Sequence, residues 1–150
     1  MGLTGRRIEI DYRLEQKIGF DRIRSIVSDR CSTSYAADRT ATEKFTTDVS
    51  KIKKRLLLTD EMRLIMMFED SFPSGGFIDC IDFLKPLERS SSAIDLISLR
   101  KLKTMLDTLR KVTSFFEDIK DGVYPNLKRM SSRVVCLPEI QRRIATIIDR

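Results

Sequence analysis

Two groups of cations are the most concentrated chemistry in the sequence. Lys51, Lys53, Lys54 and Arg55 place four positive charges in about one and a half helical turns. Arg100, Lys101, Lys103, Arg110 and Lys111 decorate a long segment in which Asp107 is the only acid between Arg100 and Lys111. Cations on a helix flank hold phosphates and position a nucleic acid without reading its bases. The plainer account of the same residues is a solvated helix face. Base stacking needs aromatic side chains interleaved with such cations, and here Phe68, Phe115 and Phe116 fall on apolar faces and read as core.

Acid pairs are the other reactive groups. Asp79/Asp82, Glu117/Asp118/Asp121 and Asp60/Glu61 would have to carry any two-carboxylate mechanism or magnesium site, because the chain has no histidine. Each pair lies at an expected helix end, which makes caps and solvated faces the simpler reading. The six glycines do not form a phosphate-cradling G-x-x-x-x-G-K-[ST] or G-x-G-x-x-G loop. Cys31, Cys80 and Cys136 are too far apart for a zinc knuckle or redox pair, and read as buried thiols of a reducing cytosol. The expectation is therefore no catalytic residue, no metal and no cofactor within this segment.

The elements that must position these groups are helical. From Ile94 to Ile119 the residues Leu99, Leu102, Met105, Leu106, Leu109, Val112, Phe115, Phe116 and Ile119 recur at three- and four-residue steps. Asp95 caps that segment, and Gly122 and Pro125 close it. Asp21 is the expected cap of a helix carrying Ile18, Ile23, Ile26 and Val27, and Thr33 to Thr42 reads as a short helix in close contact with another. Asp48 opens a helix with Val49, Ile52 and Leu56 on one face. Thr59 is expected to cap a separate helix through Phe68, whose Met62, Met66 and Met67 read as core. Pro73-Ser74-Gly75-Gly76 is the strongest turn signal. Ile81 to Glu88, interrupted by Pro86, Asn126 to Ser131, and a segment starting at Pro138 complete the helices. The strand-like scraps are Arg133 to Cys136 and Phe77 to Asp79. These patterns predict an all-α fold, an irregular helical bundle around one long helix at about 95–119, as a single domain over 1–150 with 1–12 poorly ordered.

Composition agrees with a folded domain, with 41% hydrophobic and 33% charged residues among 150. No apolar stretch approaches the ~20 residues of a membrane span. A net charge of +6 is spread thinly, with 14 basic and 12 acidic residues in 1–75 against 14 and 10 in 76–150. That balance permits a nucleic-acid partner without requiring one.

The order of motifs resembles the N-terminal core region of the MutS-two family, the recombination-suppressing branch of the DNA mismatch-repair MutS proteins. It is carried by Leu14-Glu15-Gln16-Lys17-Ile18-Gly19-Phe20-Asp21-Arg22-Ile23-Arg24, Leu58-Thr59-Asp60-Glu61-Met62, Phe72-Pro73 before Ile78-Asp79, and Leu96-Ile97-Ser98-Leu99-Arg100 opening the long helix. Tyr124-Pro125-Asn126-Leu127 and Leu137-Pro138-Glu139-Ile140 before Ile147-Ile148-Asp149 complete it. The Glu-Gln-Lys-Ile-Gly-Phe and Phe-Pro variants look most like Bacteroidetes-type members.

The resemblance implies an N-terminal fragment of a longer cytoplasmic protein. Its family continues into a lever and clamp, an ABC-type ATPase and a C-terminal Smr domain linked to nuclease activity. ATP and magnesium would belong to that ATPase region, whose motifs are not in these residues. Family members act as dimeric clamps on branched DNA, and some act on stalled ribosomes. The expected role is thus a non-catalytic scaffold of a DNA-binding ATPase, with DNA or ribosomal RNA met through phosphates at the cations named above and a homodimer in the parent. The alternative is a helical module for a protein partner, the ribosome or a dimer mate, without DNA contact.

Overall fold

Helix starts in this chain are set by side chains that take up the unpaired amides of a first turn. The computed structural model describes residues 12–89 and 92–149. Of the terminal stretch expected to be poorly ordered, residues 1–11 lie outside the described residues, and Tyr12 opens the first helix. The described residues contain helices and no strand, so the fold is all-α. The chain divides into two compact units, Met1–Thr46 and Thr47–Arg150.

The first unit holds α1 (Tyr12–Lys17), α2 (Phe20–Ser28) and α3 (Ser34–Ala41). Gly19 joins the first two with φ +74°, a left-handed conformation that suits glycine. Thr33 caps α3, its hydroxyl accepting the Ala36 amide at 3.2 Å. The Ser28 hydroxyl donates to the Ala37 carbonyl, tying α2 to α3. Arg24 is the hub: it pairs with Glu15 at 3.0 Å, donates to the Glu43 carbonyl at 2.8 Å, and lies 5.1 Å from the Phe20 ring centre. Phe20 meets Phe45 edge-on. Ile18, Ile23, Ile26 and Val27 are exposed, and Glu15 is the only buried residue among those described in this unit. A polar network around Arg24, rather than an apolar core, organises these three helices.

The second unit contains α4 (Val49–Phe68), α5 (Ile81–Leu84) with a 3-10 turn at Lys85–Glu88, α6 (Leu96–Asp118), α7 (Pro125–Ser131) and α8 (Pro138–Ile148). Asp48 and Asp95 cap α4 and α6, each carboxylate accepting the amides two and three residues on. The long helix is the spine against which α7 and α8 pack. Its core is Ile65, Phe115, Phe116, Tyr124 and Leu127, flanked by Leu58, Leu64, Phe72, Val112 and Ile119. Phe115 meets Phe72 and Phe116 edge-on at 5.1 and 5.2 Å, contacts worth about 1 kcal/mol each beyond the area they bury. The glycine turn runs against α6: Gly76, at φ +84°, accepts the Thr108 hydroxyl on its carbonyl, and a side chain there would collide with that hydroxyl.

Several local expectations are corrected. Helix α4 is continuous through Thr59, which donates its hydroxyl to the Arg55 carbonyl as a mid-helix residue. Helix α1 carries no apolar periodicity, and Gly19 rather than Asp21 precedes α2. The strand-like scraps at 77–79 and 133–136 are irregular chain. Met62, Met66, Met67 and Phe68 are exposed, with Phe68 at 68%, because apolar residues stand on every side of α4 among its charged ones, and only the side with Glu61 and Ile65 is buried. Of the three cysteines only Cys80 is buried; Cys31 is intermediate and Cys136 exposed.

Candidate functional site

The site is built on the way α4 holds α7. Glu61 of α4 and Glu69, which caps its C-terminal end, reach the segment that starts α7. Glu61 is buried, yet its charge is fully used: Oε1 accepts the Asn126 amide at 3.1 Å and the Asn126 side-chain nitrogen at 2.6 Å, and Oε2 accepts the Leu127 amide at 2.8 Å. A carboxylate there satisfies amides that a helix start leaves unpaired and complements the positive end of its dipole. Glu69 accepts the Tyr124 hydroxyl at 2.9 Å. Burial first, and then that bond to a carboxylate, pushes the Tyr124 phenol above its ordinary range. At the other end of α7, Lys128 donates to the Ile119 carbonyl and pairs with Asp121 at 2.8 Å, holding the Asp121 carboxyl below its usual value.

With α7 fixed, a groove of about 410 Å³ opens between it and the N-terminal half of α4. Lys53 and Lys54 line one side, Arg129 and Arg133 the other, with Ser50, Leu57, Leu58, Asn126 and Met130 completing the surface. No carboxylate lines it. Lys53, Lys54 and Arg133 make no ion pair among the described residues, and Arg129 reaches only the Asn126 side chain at 3.5 Å. Four like charges with no acid in the lining repel one another, and among the described residues no ion pair to Lys53, Lys54, Arg129 or Arg133 offsets them.

The predicted cations are thus sorted. Lys53 and Lys54 face the groove. Lys51 sits 3.8 Å from Asp48, a surface pair of little energetic weight, and Arg55 lies outside the groove lining. On α6, Lys103 is engaged with Asp107 at 2.9 Å, whose other oxygen takes the Gln141 amide of α8. Arg100, Lys101, Arg110 and Lys111 are exposed. Lys111 borders a different hollow, shared with Ser71, Pro73 and Asp118, and Lys101 exerts its charge on Cys80, whose thiol burial nonetheless pushes up. No α6 residue lines the groove, so the two predicted groups do not form one site.

Arg129 and Arg133 were missed because they stand outside any dense run of charge. No helical periodicity joins them either, because α7 ends at Ser131 and Arg133 reaches the groove from the turn that follows it. Four of the predicted acids make structural contacts: Asp79 accepts the Ile81 amide, Asp60 pairs with Arg63, Asp121 pairs with Lys128, and Glu61 holds α7. Among the described residues no three His, Cys, Asp or Glu side chains gather as a metal-binding set. No helix among them is long and apolar enough to cross a membrane.

The chain is 28% identical over 134 residues to a protein called Endonuclease MutS2 from Thermomicrobium roseum, a match covering 86% of this chain and 16% of that relative. The chain therefore spans about one sixth of the length of the relative it matches. No protein-family profile and no solved structure matches it. The likeness supports a MutS2-related segment, and carries nothing of the finer Bacteroidetes-type resemblance.

Proposed function

We propose that this chain is a non-catalytic helical segment of a DNA-processing protein of the MutS2 kind, acting as scaffold and contributing phosphate contacts. The observation that carries the reading is the similarity to Endonuclease MutS2 across 86% of the chain. The unopposed cations of the α4–α7 groove fit it, since phosphate contact needs positive charge and no bases to read. In a whole protein of this kind ATP and magnesium would be bound by an ATPase region, repair or recombination control would be the work of the assembly, and the assembly would be a cytoplasmic homodimer. The test is fluorescence anisotropy of a labelled DNA duplex titrated with the chain. Affinity that is measurable at ~50 mM salt and falls at least tenfold by ~200 mM supports phosphate contact. Absence of binding at low salt removes DNA from the account.

A second reading has its own observation. Val49, Leu56, Met66 and Met67 lie on an exposed side of α4, away from buried Glu61 and Ile65. A strip of this kind suits a protein partner, a dimer mate or a ribosomal protein, without any DNA contact. Tight binding to a protein that persists at high salt, with no DNA affinity, would favour it.

A further inference from the structure

We propose that the groove between α4 and α7 is a seat for the sugar–phosphate backbone of a DNA strand, held by Lys53 and Lys54 from one wall and Arg129 and Arg133 from the other. The choice of DNA among polyanions rests on the functional reading above; the location rests on geometry alone. Three features define the occupant. The lining carries four cations and no acid, which selects an anion. Its volume, about 410 Å³, is at the scale of sites that enclose whole organic ligands, far more than a lone phosphate fills. Leu57, Leu58 and Met130 add apolar surface between the charges, and a chain alternating phosphates with the C–H faces of sugars presents both characters in turn.

The absence of an aromatic ring from the lining removes base stacking, so the seat follows the backbone and does not read sequence. Arg129 and Arg133 offer planar forks suited to phosphate oxygens, whereas the two lysines act as point charges. The groove owes its shape to Glu61, which anchors α7 against α4 without itself entering the lining. Glu61 is thereby a positioning residue for the arginines.

The experiment compares two double variants of equal charge change. Lys53→Glu with Arg133→Glu alters the groove; Arg110→Glu with Lys111→Glu alters exposed cations of α6 that lie outside it. Both are titrated against the same labelled duplex over a salt series, with a duplex RNA of equal length as a second probe. The groove variant is expected to lose at least ~10-fold in affinity at low salt and to flatten the slope of log K against log salt by about two, one for each lost phosphate contact. The α6 variant is expected to stay within ~3-fold. Lys53→Gln with Arg133→Gln, which introduces no new charge, must flatten the slope in the same direction. Circular dichroism confirms that each variant is folded. Equal losses in the two glutamate variants would show that net charge alone attracts DNA, and would overturn the groove. So would an unchanged groove variant beside a wild type that binds, leaving the functional reading standing. A wild type that binds neither nucleic acid overturns both, and one that binds only RNA overturns the choice of DNA.

Discussion

Glu61 shows how a residue selected as possible chemistry becomes a structural one. Its two oxygens serve three donors at the start of α7, and it is buried where an unpaired charge would be costly. Glu61→Ala leaves two backbone amides without a partner and is expected to cost about 3 kcal/mol, read by urea unfolding. Glu61→Gln keeps one acceptor oxygen and is expected to cost about half as much; equal stability of both with the wild type would contradict the clamp. Two other residues link the stability of their contacts to pH. Asp95 is held below the usual carboxylate range, first by the Ser98 hydroxyl and then by the Ser98 amide. Its folded-state value is depressed, so its contribution is present above the ordinary aspartate value of ~3.9 and is lost as pH falls through the folded one. Tyr124 is the opposite case, its value raised from an ordinary 10.0, so its contribution is full below that pH and is lost as pH rises past it. Thermal midpoints measured against pH should therefore fall less steeply at the acid end in Asp95→Asn and at the alkaline end in Tyr124→Phe. Slopes identical to the wild type would refute the assignments.

At the scale of elements, legibility followed the strength of local signals. Asp95 and Asp48 carry their helices because a short acidic cap stands before each, and Pro125 and Pro138 open α7 and α8 as their fixed φ prescribes. Helix α4 resisted the same logic for two reasons. Thr59 has the chemistry of a cap, but its hydroxyl bonds back to Arg55 when the helix runs on. The apolar residues of α4 also encircle it, so periodicity names no inner face; Glu61 and Ile65 went inside while Val49, Leu56, Met66 and Met67 stayed out. Ile65, fully buried, should lose about 3 kcal/mol on change to Ala. Leu56→Glu, at a side chain 63% exposed, should change stability by less than ~0.5 kcal/mol. Comparable losses from both in chemical denaturation would mean that the outer strip is covered. Helix α1 was illegible because six residues with Leu14 as their one aliphatic side chain show no period, while its Glu15 contributes through Arg24 of α2.

For the molecule as a whole, composition and periodicity were enough for an all-α fold with one long helix at 96–118, because that decision needs only local pattern. The site was half legible. Lys53 and Lys54 stood out as part of a run, whereas Arg129 and Arg133 reach the same groove only through a contact between residues more than sixty positions apart, made by Glu61. Dense charge along the sequence does not mark a shared cleft at α6, where Lys103 is paired with Asp107 and the other cations lie outside the groove lining. The net charge of +6 tells nothing of this placement. The most direct measurement is amide chemical-shift mapping of the isotope-labelled chain as a DNA duplex is added. The account predicts salt-sensitive shifts concentrated at residues 50–58 and 126–133, with residues 100–111 nearly unmoved. Shifts centred on α6 or on the outer strip of α4, or none at low salt, would contradict it.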